Sequence, residues 1–267
     1  MDPAIRTKLD QHLIMARAKL FRAVAGGSCE IMRDWVRAYS GLSMPSYNIF
    51  QPRTLQGLTD DTLADTAAFF SSYDTLYTVE LIHDRFPDGP DYLDKLGYQP
   101  LPPQMAMFSE GLHLDHSPQV NSAVMVEHIT TVPSLTALCT LLNQVFDYSL
   151  DDVKKFFPVL HLGQDLRHTI KHYLAFLNEQ PVGGGTLICL DGVASVWNLC
   201  TIDEFRQCGV ATTLIDHMLS DADEYGLQLK VLYSSPQAYG LFSRFNFEIY
   251  TQRQWFLPPG LEYQEDW

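Results

Sequence analysis

The residues best placed to do chemistry lie in one segment, Asn198-Leu-Cys-Thr-Ile-Asp-Glu-Phe-Arg-Gln-Cys-Gly-Val-Ala-Thr-Thr213. A strand is predicted to end at Cys200 and a long helix to open at Gly209, with Ala211, Thr212 and Thr213 adding little bulk to its first turn. Successive backbone N–H groups at such a helix start, with the helix dipole behind them, form an anion site suited to a pyrophosphate. Small residues at Gly209 and Ala211 let a ligand approach the main chain. Both Gly-x-x-x-x-Gly-Lys and Gly-x-Gly-x-x-Gly are absent, so this is neither the Walker loop nor the dinucleotide fingerprint. Cys208 in the loop invites a nucleophile role, but sequence places no His or Asp beside it, and a small side chain there also reads as loop filling.

The elements that must position this segment can be read from periodicity. Ile5, Leu9, Leu13, Ala16, Leu20 and Val24 recur at three- and four-residue steps, predicting an amphipathic helix that ends at Gly26-Gly27. It is basic, as membrane-surface and transit helices are, but docking of its apolar stripe on its own domain is the reading adopted. Short strands are predicted at Trp35–Tyr39 and Tyr47–Phe50. A helix then follows over Asp60–Ser71 capped by Thr59, a strand at Thr75–Ile82, a helix at Pro90–Leu96 and a strand at Gln104–Phe108.

The second half is predicted to run as a strand at Ala123–Ile129, a helix from Pro133-Ser134 to Phe146 and a helix near Leu150–Phe157. Strands at Tyr173–Leu177, Val182–Leu190 and Val193–Cys200 are joined by Asn178-Glu179 and Asp191-Gly192 turns. After the Gly209–Tyr225 helix come a strand at Leu229–Tyr233, a helix at Gln237–Phe245 and a strand at Glu248–Phe256. Antiparallel strands giving way to β-α-β-α-β mean a mixed α/β (α+β) sheet. The helix end Asp91–Tyr98 echoes Leu241–Phe247, and both halves share the order strand, helix, strand, helix, strand. We therefore read a leader at 1–42, one related half at 43–120 and another at 121–267.

Charge follows these divisions. The 267 residues carry a net charge of −14, with residues 1–42 at +3, 43–120 at −8 and 121–267 at −9. Such a surface repels nucleic-acid backbones and favours cationic small molecules or basic peptide segments. No stretch approaches the roughly 18 apolar residues of a membrane span, and no secretory signal pattern is seen. Five cysteines without CxxC or His-Cys ligand spacing argue against a disulfide framework or a structural metal and for a reducing compartment, the cytoplasm by default.

The motifs carry a resemblance. Arg206-x-x-Gly209-x-Ala211 after a strand, then Ser235-x-x-Ala238 and Phe242-x-x-x-Asn246-Phe247 after the next, resemble the signature of the GNAT (Gcn5-related) N-acetyltransferase superfamily, Q/R-x-x-G-x-G/A, then N-x-x-A and Y-x-x-x-G-F. The likeness covers Ala123–Phe256 in element order as well as motif. It implies two GNAT-like mixed-sheet domains, the N-terminal one degenerate, as in the tandem members of the superfamily. The stretch from Tyr47 through Asp61 shows no equivalent of the glycine-bearing loop, so acetyl-coenzyme A is expected in the second half alone, with no metal.

Carried over by position, the resemblance implies that Asn198, Leu199 and Cys200 hold the pantetheine arm and polarise the thioester carbonyl. The amides of Arg206, Gln207, Cys208, Gly209, Val210, Ala211 and Thr212 would take the pyrophosphate. Ser235 stands where the family has Asn, and Phe242 lies against the cofactor where the family has Tyr. Phe242 cannot donate a proton, so Tyr239, Ser235 or water would protonate the departing thiolate, or turnover would be weak. Asn246 likewise replaces the usual Gly. Base candidates are Asp191, Glu127, His128, His161, His168 and His172, with water as proton acceptor beside them. Trp197, Trp255, Phe256 and Tyr250 read equally as acceptor-pocket lining and as core.

The preferred expectation is an N-acetyltransferase acting on a primary, cationic amine of a small molecule or peptide. The alternatives are a coenzyme A-binding module with little turnover and an interaction protein built on the leader and first half.

Overall fold

The computed structural model describes residues 1–24, 26–42, 44–113, 118–155 and 170–261. It is a mixed α/β chain in two compact units. One comprises Met1–Ala16 with Ala106–Tyr250, and the other Arg17–Met105 with Thr251–Trp267. Both divisions fall inside elements: the first helix, α1 (Pro3–Ala23), and the last strand, β12 (Glu248–Leu257).

In the Arg17–Met105 unit, β1 (Ser28–Ile31), β2 (Trp35–Tyr39), β3 (Ile49–Pro52) and β4 (Thr78–Ile82) follow in spatial order, with β12 beside β4. β3 and β4 are parallel and the other pairs antiparallel, Arg253 standing opposite Ile82 and Phe256 opposite Val79. Helices α2 (Asp60–Ser71) and α3 (Gly89–Lys95) and the short β5 (Gln99–Pro100) complete it. Alternation along the strands sends Phe50, Val79, Leu81 and Phe256 into a core with Phe70, Phe86 and Leu93. Thr59 caps α2 through a reciprocal box with Thr62, as the sequence predicts.

Two details differ from expectation. The strand predicted at Tyr47–Phe50 begins two residues later: Pro45–Tyr47 forms a 3₁₀ turn, and pairing runs over Ile49–Pro52. Buried Asn48 is the reason, since its side chain accepts from the Ser40 amide and donates to the Leu42 and Leu76 carbonyls, an order that a ladder does not permit. The same network delays β4 to Thr78 rather than Thr75.

In the Ala106–Tyr250 unit the spatial order is β6 (Gln104–Glu110), β11 (Leu229–Ser234), β10 (Val193–Thr201), β9 (Gln180–Leu190), β8 (Ile170–Leu177), β7 (Val124–His128). The closing strands are thus exchanged, β6 joining β11 and β12 joining β4. The β8–β9 and β9–β10 turns are left-handed at Asn178, Glu179, Asp191 and Gly192, the conformation a type I′ turn requires. Helix α4 (Val132–Phe146), a helical stretch at 150–155, α5 (Val210–Glu224) and α6 (Tyr239–Ser243) fill out the unit. The Leu150–Phe157 helix lies partly outside the described residues.

α4 and α5 cover opposite faces of β9. An added Cβ at Gly183 or Gly185 would meet Val210 or Met218 of α5, whereas one at Gly184 would lie 2.4 Å from Leu138 of α4. The α4 face is shared with α1, whose Leu9 and Leu13 pack on Val193 and Val231. The stripe predicted for α1 is buried at Leu9, Leu13, Ala16, Leu20 and Val24, yet the helix also buries Asp10, His12 and Arg17. It is therefore less purely amphipathic than its sequence suggests. Among the described residues no helix is long and apolar enough to cross a membrane, and no group of three His, Cys, Asp or Glu could hold a metal.

Candidate functional site

The site is built where β10 parts from β11 and bulges against β9. Against β11 the parallel register runs over four pairs, from Val193↔Leu229 to Val196↔Leu232, while β10 itself continues to Thr201. Against β9, Trp197 stands opposite Thr186 and Cys200 opposite Gly184, so one extra residue is inserted on β10. The insertion is marked by Asn198, left-handed at φ 52°. A bulge re-aims the peptide groups around it, and here those belong to Asn198, Leu199 and Cys200. The Cys200 side chain is buried, and desolvation pushes its thiol up to about 12.

The loop after β10 passes through a 3₁₀ turn (Asp203–Phe205) to Arg206, left-handed Gln207 and exposed Cys208. Gly209 is the N-cap of α5 at φ 80°, and no side chain caps the helix. A left-handed N-cap without a hydroxyl leaves the first-turn N–H groups of Val210, Ala211 and Thr212 without a side-chain acceptor over them. Arg206 pairs at 2.8 Å with Asp203, both exposed.

Two residues that sequence reasoning missed brace this loop. Asn121 donates its side-chain amide to the Cys208 carbonyl at 2.8 Å, and its backbone N–H donates to Thr213 Oγ1 at 3.1 Å. Arg244, from the end of α6, donates to Thr212 Oγ1 at 3.0 Å and so brings a guanidinium to the start of α5. Neither had a local signal. The Gly183-Gly184-Gly185 run did, since consecutive glycines inside a strand mark close approach on both faces. An added Cβ at Gly183 would stand 2.8 Å from the Cys200 carbonyl.

Ser235 follows β11 and is half-buried, its carbonyl accepting from the Ser234 hydroxyl and the Ala238 amide. Tyr239 opens α6 and is 44 % exposed. Phe242 turns inward to meet Phe247 edge-on at 6.0 Å. Tyr239 and Phe242 therefore occupy different environments, although sequence spacing had aligned them on one face. Asn246 sits at φ 59°, and the Phe247 amide bonds the Phe242 carbonyl. This is the helix-ending geometry that selects Gly or Asn, so the replacement keeps the backbone conformation.

The base candidates are dispersed. Glu127 and His128 are exposed on β7, three strands from β10, and Asp191 lies in the β9–β10 turn, at the other end of β10 from the bulge. His172 shares a row with Thr186 and Trp197, but it is buried, with Nδ1 2.8 Å from Thr186 Oγ1. His161 and His168 lie outside the described residues. Of the aromatic candidates, Phe256 is core, and Trp197 and Tyr250 are half-buried around Leu9, Leu13, Val193 and Val231.

The Arg17–Met105 unit offers no comparable cradle at the start of α2. The Thr59 hydroxyl already accepts from the Thr62 amide, and Asp60 and Asp61 stand in the first turn. Gly57 lies in the preceding loop, but an added Cβ there would sit 1.9 Å from the Asp34 carbonyl. A groove of about 350 Å³ beside α2 is lined by Leu63, Ala64, Tyr77, Tyr98 and Asp60, an apolar and acidic set unsuited to phosphate.

A strand bulged against one neighbour and parted from the other, leading into a glycine-opened helix, defines the GNAT fold. Residues 137–247 match the family model described as Acetyltransferase (GNAT) family. A GCN5-related N-acetyltransferase from Kribbella flavida has a similar structure, with a TM-score of 0.71 at 17% identity over 98% of this chain and 97% of that one. A tandem GNAT protein from the clavulanic acid biosynthesis pathway, solved without AcCoA, is also similar, with a TM-score of 0.60 at 12% identity over 86% and 79%. The uncharacterized protein YyaT of Bacillus subtilis (strain 168) is 24% identical over 96 residues, 36% of this chain, and the match spans 64% of that relative's length. Residues 137–247 thus match the GNAT family, and the chain shares its fold with these solved structures.

Proposed function

We propose that this protein is an acetyl-coenzyme A-dependent N-acetyltransferase whose acceptor is a primary, cationic amine on a small molecule or peptide. The observation that carries this reading is the uncapped, glycine-opened start of α5 directly after the bulged end of β10. Amides from Gln207 to Thr212 take the pyrophosphate, Asn198 to Cys200 hold the pantetheine arm, and Arg244 adds a cation that the family motif does not specify. Backbone amides rather than a basic patch do the binding, so a net charge of −14 is compatible with a phosphate ligand and still attracts an ammonium group.

In the reaction the neutral amine attacks the thioester carbonyl. The C–N bond forms, the C–S bond breaks, the nitrogen loses a proton and the thiolate gains one. Tyr239, exposed at the start of α6, and Ser235 are the proposed donors to sulfur, and solvent accepts the amine proton. The second half, 121–267, carries the activity, and the degenerate half at 43–120 with the leader at 1–42 supports it without a cofactor. Five free cysteines fit a reducing cytoplasm.

Isothermal titration with acetyl-coenzyme A tests the reading. Gly209→Val forces a branched residue to φ 80° with its Cβ 2.9 Å from that of Asn121, and is expected to abolish binding. Equal affinity in wild type and variant would remove α5 from the site. A second reading, coenzyme A binding with little turnover, is favoured by buried Phe242 in place of the usual phenol. Thiol release across a panel of amines separates the two.

A further inference from the structure

Trp197 and Tyr233 are the first residues past the last β10–β11 register pair, one on each parting strand. Their rings meet edge-to-face, with centroids 6.3 Å apart and planes at 73°, and both are half-buried. They stand on the α1 and α4 side of the sheet. Ser195 and Trp197 pair with Ile188 and Thr186, which share the parity of Gly184, whereas α5 covers the face of Gly183 and Gly185. An arm anchored at the start of α5 and threaded between the parting strands would deliver its reactive end to the Trp197 and Tyr233 side.

Trp197 is held in orientation by a buried relay from helix α1. His12 Nδ1 lies 3.0 Å from the Leu190 carbonyl, which can only accept, so Nδ1 carries the proton and Nε2 accepts from the Ser195 hydroxyl at 2.8 Å. Ser195 Oγ in turn accepts from the Trp197 indole N–H at 2.6 Å. Ser195 and His12 are both buried. With its N–H directed inward, the indole cannot offer it to a ligand, and what remains is the π surface. Lower on the same face, Phe108 and Tyr250 meet edge-on at 6.0 Å, and the Tyr250 hydroxyl donates to buried Asp10 of α1 at 3.2 Å. The surroundings of the two rings are therefore aromatic, a setting that favours an organic cation.

We propose that Trp197 and Tyr233 form the acceptor subsite, recognising an aliphatic ammonium group through their ring faces, and that His12 and Ser195 are positioning residues that fix the indole for it. This rests on the acyl-transfer reading and gives the N-terminal helix a part in choosing the substrate.

The test separates the two. Ligand-observed NMR titrates tetramethylammonium, which cannot be acetylated, against the full chain, with tert-butanol as an uncharged control. Wild type is expected to bind the cation saturably and not the alcohol, and Trp197→Leu or Tyr233→Leu to weaken it about tenfold or more. Each variant is checked for unchanged acetyl-coenzyme A affinity, which certifies its fold. Ser195→Ala keeps both rings and removes only the anchor. It is expected to raise KM for n-butylamine severalfold in the thiol-release assay, with kcat nearly unchanged.

Tetramethylammonium affinity that is equal in wild type and both ring variants overturns the subsite and leaves the acyl-transfer reading standing. Ammonium binding without any acetyl-coenzyme A binding overturns the acceptor role together with that reading. A fall in kcat alone in Ser195→Ala overturns the positioning role.

Discussion

Asn121 donates its side-chain amide to the Cys208 carbonyl across 2.8 Å, and the Cβ of the same side chain is the atom that a Cβ on Gly209 would strike. One residue thus both braces the loop before α5 and sets the glycine requirement at its start. Asn121 also accepts from the Ala123 amide at 2.9 Å, so it joins the lead-in to β7 to the binding loop. Asn121→Ala removes both side-chain bonds and is expected to cost about 1–2 kcal/mol of stability. The loop's left-handed residues, Gln207 and Gly209, lose their tether, and acetyl-coenzyme A affinity should fall about tenfold, read by calorimetry. Unchanged affinity would show that the backbone of the loop holds itself.

In the Arg17–Met105 unit, Glu80 is fully buried between two guanidiniums, Arg17 at 2.7 Å and Arg253 at 2.6 Å. Burial alone would raise its pKa. The two arginines more than offset that and hold the carboxyl below the usual range. Glu80→Gln keeps the shape and strands two buried cations, and is expected to destabilise by about 3–5 kcal/mol in urea unfolding. A loss below about 1 kcal/mol would mean that water reaches the arginines.

Asn246 offers a sharper test of why a family glycine can be replaced. Its φ of 59° closes the turn after α6, and Phe247 continues into the core. Asn246→Gly should be nearly neutral, while Asn246→Val should cost about 1–2 kcal/mol, because a β-branched residue is strained in the left-handed region. Equal melting temperatures for the two variants would refute this account.

Much of this was legible from local chemistry. Thr59 before an apolar period announces α2, Asp191-Gly192 announces a left-handed turn, and the spaced small residues after Cys200 announce the start of α5. Local sequence is silent where the cause is distant. Asn198 adopts φ 52° because β10 must lose register with Gly184 and Thr186, and nothing in a β-rich run reports that. Asn121 and Arg244 reach the loop from elsewhere in the fold. Exchange of β6 and β12 is likewise invisible, since a strand's pattern states which face is buried and not which neighbour it joins. The His12 relay was hidden in the same way, by a polar residue inside what periodicity presents as an apolar helix.

That relay makes a pH prediction with a fixed sign. Desolvation is the main cause that lowers His12 from 6.5 to about 4, partly opposed by its bond to Leu190 and by Asp191. Between those values the unfolded chain binds a proton that the folded chain refuses, so stability rises with pH across the window and is lost as pH falls through it. The full span is worth on the order of 3 kcal/mol. Above about pH 6.5 His12 contributes no further slope. His12→Asn retains a donor for the Leu190 carbonyl but does not titrate. Urea midpoints taken from pH 7 down to pH 4.5 should decline less steeply for the variant than for wild type. Protonation would place a second donor on Ser195 Oγ, which already accepts from Trp197, so the edge-to-face signal of the Trp197–Tyr233 pair in near-UV circular dichroism should hold through most of that window and fade only as pH falls to about 4, in wild type alone. Parallel stability slopes for the two proteins would assign the acid limb to other groups.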